Sequence, residues 1–356
     1  FYTFSFTMII VLGYGMIGSI VAKELSLKDE VVVVDKRNID DFSTGKFVKG
    51  DIFDFPELIT KADVVVSTLP GNVSYPIISK LLSKGKKIVD VSFMPENAMD
   101  LNDMATKQKA LLIPDAGYAP GLTNIISAYF YKKYKPESIE IYVGGLPQEK
   151  VPPLDYAITW SVSGLIDEYN RPARIVKNKK IVSVDPLEDI EKRMFPGIGD
   201  LEAFYSDGLR TLLFTLKDVD MFEKTYRYPG HLQKIKFLRD MGYFSETEGC
   251  SPRIISEQLF EKKLKMKIED LSILEVRAKG KINKEIRYVE YYDRYNNLTS
   301  MSKMTGFPAV VLTELLIDNK IQGTGVKAPE YFGFDEPMFN EIMSRLKKRG
   351  INLEIS

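Results

Sequence analysis

The chain predicts an α/β fold: a doubly wound Rossmann parallel sheet plus a second α+β domain with a mixed or antiparallel sheet. Three observations predict it. Short β-branched runs alternate with helix-like segments from Met8 to about Asp115. The turn Gly13-Tyr14-Gly15-Met16-Ile17-Gly18 joins the first run to the first helical segment. Beyond Gly121 the rhythm changes to strands with polar residues at every second position.

The runs 9–12, 31–34, 46–49, 64–67, 87–91 and 111–113 are short and rich in Val, Ile and Leu, as strands covered on both faces are. Segments 16–25, 73–82 and 98–105 carry apolar residues at helical spacing, and Pro95 stands where a helix can start. Gly and Pro then interrupt the pattern in Asp115-Ala-Gly-Tyr-Ala-Pro-Gly121, and a helix is expected over 122–131. Farther on, 138–143, 173–176, 180–184, 271–279 and 285–292 read as strands, and 232–241 and 256–265 as helices. The stretch 308–318 is apolar and helical, and 336–349 predicts an amphipathic closing helix.

A length of 356 residues suggests two domains, because single cores stop growing near roughly 250 to 300 residues. Lys plus Arg number 49 and Asp plus Glu 49, so no net field favours nucleic acid or an anionic membrane. The single cysteine, Cys250, makes no disulfide within the chain, and with one histidine no zinc site is expected. No apolar run reaches the roughly 20 residues of a membrane-spanning helix. Residues 1–7 look like an extension outside the fold, and the expected setting is the reducing cytoplasm.

In the glycine turn, Gly13 permits the tight bend, Gly15 lets backbone approach a pyrophosphate, and Gly18 allows helix and strand to pack closely. Met16 and Ile17 open the helix whose N-terminus faces the phosphate charge. Asp35 ends the second strand, 22 positions after Gly13, where a carboxylate accepts both ribose hydroxyls and repels a 2′-phosphate. NAD is therefore the expected cofactor. Lys36 and Arg37 leave NADP open, since a cation there can pair with the extra phosphate, although solvated loop charges read the same way. Asp51 is placed to accept from the adenine amino group or simply to form a turn. Thr68, Leu69 and Pro70 follow the fourth strand, on the edge that faces the ligand crevice.

Beyond residue 115 the chain resembles the saccharopine reductase and lysine 6-dehydrogenase family, and most of all its archaeal lysine-dehydrogenase-type members. The resemblance rests on Asp115-Ala-Gly-Tyr-Ala-Pro-Gly-Leu-Thr-Asn124, Tyr142-Val-Gly-Gly-Leu-Pro147, Ile158-Thr-Trp-Ser161, Arg171-Pro-Ala-Arg174, Ser206-Asp-Gly-Leu-Arg210, Arg227-Tyr-Pro-Gly-His231 and Met304-Thr-Gly-Phe-Pro308. It implies a Rossmann domain over 8–120 completed by 300–356, and a domain over 121–299 that supplies the substrate site and the contact of a homodimer. Saccharopine reductases resemble one another in a Gly-Leu-Asp-Pro-Gly loop whose Asp lies close to the amino-acid substrate. Here the loop reads Gly117-Tyr-Ala119-Pro-Gly121, which looks like the lysine dehydrogenase branch.

The expected reaction is NAD-dependent oxidation of the side-chain amine of L-lysine to 2-aminoadipate 6-semialdehyde, which closes to a cyclic imine. Saccharopine or carboxynorspermidine dehydrogenation on the same scaffold is the nearest rival, and a non-catalytic NAD-sensing module the remote one. A lysine ammonium titrates at about 10.4, so a base must help deprotonate it. His231, the only histidine, suits that work by its ordinary titration range, though a helix-capping histidine fits the same sequence. Asp115, at the end of a strand, puts a carboxylate where the amine can lie, or caps a turn. Arg210 and Arg227 are candidates for the substrate carboxylate, with Arg171 and Arg174 behind them, each equally readable as an ion-pair residue. Trp160 walls a pocket or packs a core, and Gly121 belongs to the substrate loop.

Overall fold

The β-branched runs of the first third become strands β1 (Met8–Leu12), β2 (Glu30–Asp35), β3 (Lys46–Lys49), β4 (Val64–Ser67), β5 (Lys87–Asp90) and β6 (Leu111–Ile113). Later strands are β7 (Ser138–Pro147), β8 (Ala173–Lys177), β9 (Lys180–Val184), β10 (Glu191–Phe195), β11 (Gly199–Tyr205), β12 (Asp220–Arg227), β13 (Asp270–Lys279), β14 (Lys284–Tyr291) and β15 (Gly325–Val326). The structure is a computed structural model that describes residues 7–40, 42–246 and 251–356. Cys250 and the start of the expected extension lie outside the described residues.

Contacts divide the chain into two units, one running to Tyr129 and taking in Ser302–Asn352, the other comprising Phe130–Met301 and Leu353–Ser356. The division falls inside helix Leu122–Tyr134. In the first unit seven strands lie in the order β15-β6-β5-β4-β1-β2-β3, every pair parallel. The order reverses at β1, which makes its carboxyl end the topological switch point. Ile10, Val32, Val65, Ile88 and Leu112 pack with Leu58, Ile78, Leu81 and Leu82 from the crossover helices. Burying each such side chain contributes about 1.5–3 kcal/mol. Helix Ser300–Ile317 returns the chain to this unit, where Gly306 lets it approach Ile20 so closely that a Cβ would lie 2.5 Å from that side chain.

Two segments depart from the expected elements. The helix expected from 308 starts at Ser300 and carries Pro308 inside it. The segment 98–105 resolves into a 3-10 turn, Ala98–Leu101, and helix Asn102–Lys107.

The second unit holds a mixed sheet in the order β10-β11-β12-β7-β13-β14, with β12 parallel to β7 and the other neighbours antiparallel, while β8 and β9 form a hairpin beside β12. The sheet curls strongly. Arg193 on β10 reaches Glu275 on β13 at 3.1 Å although three strands lie between them, and Arg287 on β14 meets the same carboxylate at 3.2 Å. Strand β12 is buried on both faces: Met221, Glu223, Thr225 and Arg227 lie on one, at 1%, 3%, 5% and 1% exposed, and Lys224 and Tyr226 on the other, at 3% and 0%. No described helix is long and apolar enough to cross a membrane.

Candidate functional site

The glycine turn of the first unit has the shape its sequence requires. Gly13 has φ +88° and donates its N–H to Val34 O at 2.9 Å. A Cβ on Gly18 would lie 2.1 Å from Gly13 O, so only glycine lets helix Met16–Leu25 sit against the turn. A Cβ on Gly15 would meet nothing within 4 Å, so this backbone is open to a ligand. Thr68 bonds back to Leu12 O at 2.9 Å and ties the end of β4 to the turn, while Leu69 is half-buried and Pro70 exposed. The turn, the helix N-terminus and the open space at Gly15 fit a pyrophosphate.

Asp35 ends β2 and is 8% exposed. Its carboxylate accepts from Tyr14 N at 2.8 Å, from Arg37 N at 2.8 Å and from the Arg37 guanidinium at 2.8 and 3.1 Å. Burial works against the charge, yet the bonds from Arg37 and Tyr14 outweigh it and hold the carboxyl at about 2. Arg37 is thus paired with Asp35 while its side chain stays 67% exposed. Lys36 pairs with Asp51 at 3.0 Å, and Asp51 also accepts from Phe53 N at 3.1 Å, which together lower its titration. Asp51 therefore has the turn-forming geometry that was one of its two readings.

Asp115 follows β6, is 3% exposed and takes φ +50°. The loop after it is tightly closed, because a Cβ on Gly121 would lie 2.3 Å from Gly117 O and 2.5 Å from Asp115 O. Gly121 N donates to Asn124 Oδ1 at 3.1 Å, and Asn124 in turn donates to Glu330 at 3.0 Å. Gly121 thus shapes the turn through its backbone. Ala119 stays partly exposed at its tip.

The second unit gathers His231, Arg227 and Trp160 around residues that the sequence did not flag. Arg227 donates to Glu168 Oε2 at 2.8 Å, to Tyr169 Oη at 2.9 Å and to Tyr226 O at 2.9 Å, and its guanidinium lies 4.6 Å from the Tyr156 ring centre. Gly164 leaves room for the Trp160 indole, since a Cβ there would lie 2.6 Å from it. His231 is 0% exposed, with Nδ1 2.8 Å from Leu154 O and Nε2 2.8 Å from Tyr169 Oη. A carbonyl only accepts, so Nδ1 carries the proton and Nε2 accepts from the tyrosine. Burial first, and the Arg227 charge second, push the imidazole down to about 3. His231 is a neutral, enclosed hydrogen-bond hub in this unit and has neither exposure nor a free nitrogen for a base role.

Of the other arginines, Arg174 forms a two-pronged pair with Asp207 at 2.8 and 2.9 Å, and Arg171 lies 3.7 Å from the same carboxylate. Arg210 is buried, 8% exposed, with φ +51°. On the face of β12, Glu223 accepts from Ser206 at 2.8 Å, and burial pushes its carboxyl up to about 8. Gly208 makes room for it, since a Cβ there would lie 1.8 Å from Glu223 Oε1. Among the described residues no group of three His, Cys, Asp or Glu side chains is arranged to hold a metal ion.

Comparison with known proteins adds the family. Residues 9–113 match the family model of the saccharopine dehydrogenase NADP binding domain, and residues 117–351 that of the saccharopine dehydrogenase C-terminal domain. The saccharopine dehydrogenase [NADP(+), L-glutamate-forming] of Schizosaccharomyces pombe is 22% identical over 83% of this chain and 84% of its own length. Of several longer curated relatives the chain spans 22 to 45%. The apo saccharopine dehydrogenase (L-Glu forming) of Saccharomyces cerevisiae superposes with a TM-score of 0.80 at 18% identity, covering 98% of this chain and 99% of that one. The homospermidine synthase of Legionella pneumophila, solved in complex with NAD, gives 0.68 at 14% identity over 98% of this chain and 91% of its own. These two structures share the fold. With a nucleotide module and a C-terminal module matched in order along one chain, the protein belongs to the saccharopine dehydrogenase family.

Proposed function

We propose that this chain is an NAD-dependent dehydrogenase that oxidises the side-chain amine of L-lysine to 2-aminoadipate 6-semialdehyde, releasing ammonia. One observation carries the choice of substrate. The loop Gly117-Tyr-Ala119-Pro-Gly121 presents a methyl group, partly exposed, where saccharopine reductases resemble one another in an aspartate. A secondary amine bearing the extra carboxylates of saccharopine gains nothing from that methyl, whereas a primary amine needs fewer polar partners. The rival reading, a saccharopine-type secondary amine, draws its support from the relatives' names.

A bound nicotinamide dinucleotide supplies the hydride acceptor for this chemistry. The protein's own groups divide the remaining work. The Gly13–Gly18 turn and the start of helix Met16–Leu25 take the pyrophosphate, and Asp35 takes the adenosine ribose. NAD is favoured because Asp35 is ionised. Arg37, released from Asp35, offers a partner for the 2′-phosphate of NADP, so discrimination between the two is modest. Asp115 is the proposed base for the substrate ammonium. Arg210, buried at 8% exposed, is the arginine proposed for the substrate carboxylate. Arg227 and His231 then act as positioning residues that fix Tyr156 and Trp160. A homodimer is also part of this reading.

Supplying L-lysine with NAD and following NADH absorbance tests the substrate. Turnover with lysine and none with saccharopine is expected. Turnover with saccharopine alone would replace this reading by its rival.

A further inference from the structure

The parallel sheet ends, between β4 and β5, on a buried polar cluster that the roles above leave unused. Ser67 and Asp90 are register partners on these two strands, so their side chains leave the sheet on the same face. Both are 0% exposed. Asp90 Oδ2 lies 2.6 Å from Ser92 Oγ, which lies 2.7 Å from Ser74 Oγ, and Ser74 Oγ lies 3.1 Å from the Gly71 carbonyl. Asp90 Oδ1 and Ser67 Oγ have no hydrogen-bond partner among the described residues.

Each packed element brings one group to this carboxyl: Ser67 from β4, Ser74 by way of Ser92 from helix Gly71–Leu82, Ser92 from the segment after β5, and Asp115 from the segment after β6. Of these four, Asp115 alone titrates. Burial, helped by the Asp115 charge and opposed by the bond from Ser92, pushes Asp90 up to about 7.

The row of hydroxyls is satisfied in both charge states. With a proton on Oδ2, Asp90 donates to Ser92, Ser92 to Ser74 and Ser74 to the Gly71 carbonyl. Without it the row reverses, and Ser74 donates to Ser92, which donates to the carboxylate. A buried carboxyl that can gain or lose its proton with only a turning of neighbouring hydroxyls is suited to do so in function.

In a sheet of this order a dinucleotide lies across the carboxyl ends, with its adenosine half towards β2 and its second half towards β4 and β5. The oxidised nicotinamide ring carries a positive charge and the reduced ring none. We propose that Asp90 is a proton-holding carboxyl coupled to the charge of the cofactor, releasing its proton when the oxidised dinucleotide binds and keeping it when the reduced one binds. This rests on the cofactor reading above. One O–H bond at Asp90 is broken or kept, and the proton passes to the buffer. A neighbouring cation moves a carboxyl's titration down by about 1–3 pH units, which suffices to empty a group poised near neutrality.

The experiment is calorimetric titration of the full chain with NAD⁺ and with NADH at neutral pH, each in two buffers of different ionisation enthalpy, which counts protons. About half a proton is expected to leave per NAD⁺ bound, and none per NADH. Asp90→Asn should bind both nucleotides and lose the difference. Ser92→Ala removes a donor to the carboxylate, so the pH at which NAD⁺ releases most should move upward, and this arm decides the matter even if Asp90→Asn does not fold. Equal counts for the two nucleotides in the wild type, a difference surviving Asp90→Asn, or an unmoved profile in Ser92→Ala would each overturn the proposal and leave the cofactor reading standing. Failure of either nucleotide to bind overturns both.

Discussion

Asp35 and Asp90 are both the last residue of a parallel strand in the same sheet, and both are buried, yet one is held at about 2 and the other pushed up to about 7. Burial is unfavourable for either anion. The difference lies in what surrounds the oxygens: a guanidinium and two backbone N–H groups at Asp35, a serine hydroxyl and the charge of a second carboxyl at Asp90. A strand end is therefore only a position, and the neighbouring donors decide whether it carries a charge or a proton. The second unit holds another carboxyl of the Asp90 kind: Glu223, which has a serine as partner, is pushed up by burial to about 8.

The largest expected effect concerns the carboxyl next to Asp90. If Asp115 is the base, Asp115→Asn lowers kcat by about 10²–10⁴-fold while leaving NAD affinity within about threefold. Steady-state kinetics and nucleotide binding measured on one preparation check this, and an unchanged kcat removes Asp115 from the chemistry. Next in size is the paired carboxylate of the second unit. Arg227→Met strands Glu168 without its cation and should cost about 3–5 kcal/mol in urea unfolding, the penalty for removing one partner of a buried pair. A loss below about 1 kcal/mol would show that Glu168 is served by solvent.

A smaller effect tests the charged end of the first sheet. Asp35→Asn removes the ribose acceptor and frees Arg37 together, so NAD should weaken by about tenfold or more while NADP weakens less or improves. Arg37→Ala should act oppositely, costing NADP more than NAD. Dissociation constants for both nucleotides in both variants give the check, and parallel changes would sink the assignment of Asp35 to the ribose.

What the sequence disclosed follows the same physics. The parallel strands were legible because both faces are apolar, and the glycine turn because Gly13 and Gly18 answer conformational and steric demands that other residues do not meet. Asp35 was legible from its spacing. Asp90 was not, since Lys87-Ile-Val-Asp90-Val91 reads as one more strand and nothing in it announces that hydroxyls from three separate segments meet its end. Strands β10, β11 and β12 escaped for another reason: β12 is buried on both faces and carries Glu223, Lys224, Thr225 and Arg227 in succession with apolar residues, so an apolar-in, polar-out rule finds no alternation in it. Helix Val162–Asn170 did leave a signal, with Val162, Leu165, Ile166 and Tyr169 at helical spacing, and reading it would have brought Glu168 and Tyr169 into view.

The subtlest prediction sets two groups of the second unit against each other through pH. His231 is held at about 3 against an ordinary value of 6.5, so between those limits the unfolded chain binds more protons than the folded one. Its contribution to stability is fully present above about pH 6.5 and is lost as pH falls, at a limiting slope of about 1.4 kcal/mol per pH unit. Glu223 runs the other way. Raised from 4.5 to about 8, it keeps its proton in the folded chain, so its contribution is intact below about pH 4.5 and is lost as pH rises towards 8. Urea unfolding between about pH 5 and 8 should therefore show His231→Gln gaining on the wild type as pH falls, and Glu223→Gln gaining on it as pH rises. Each variant carries its own constant loss of about 1–3 kcal/mol from a broken buried hydrogen bond, so the slope of the difference, and not its size, is the reading. Two flat difference curves would mean that both groups titrate as they do in the unfolded chain, and that burial does not govern either of them.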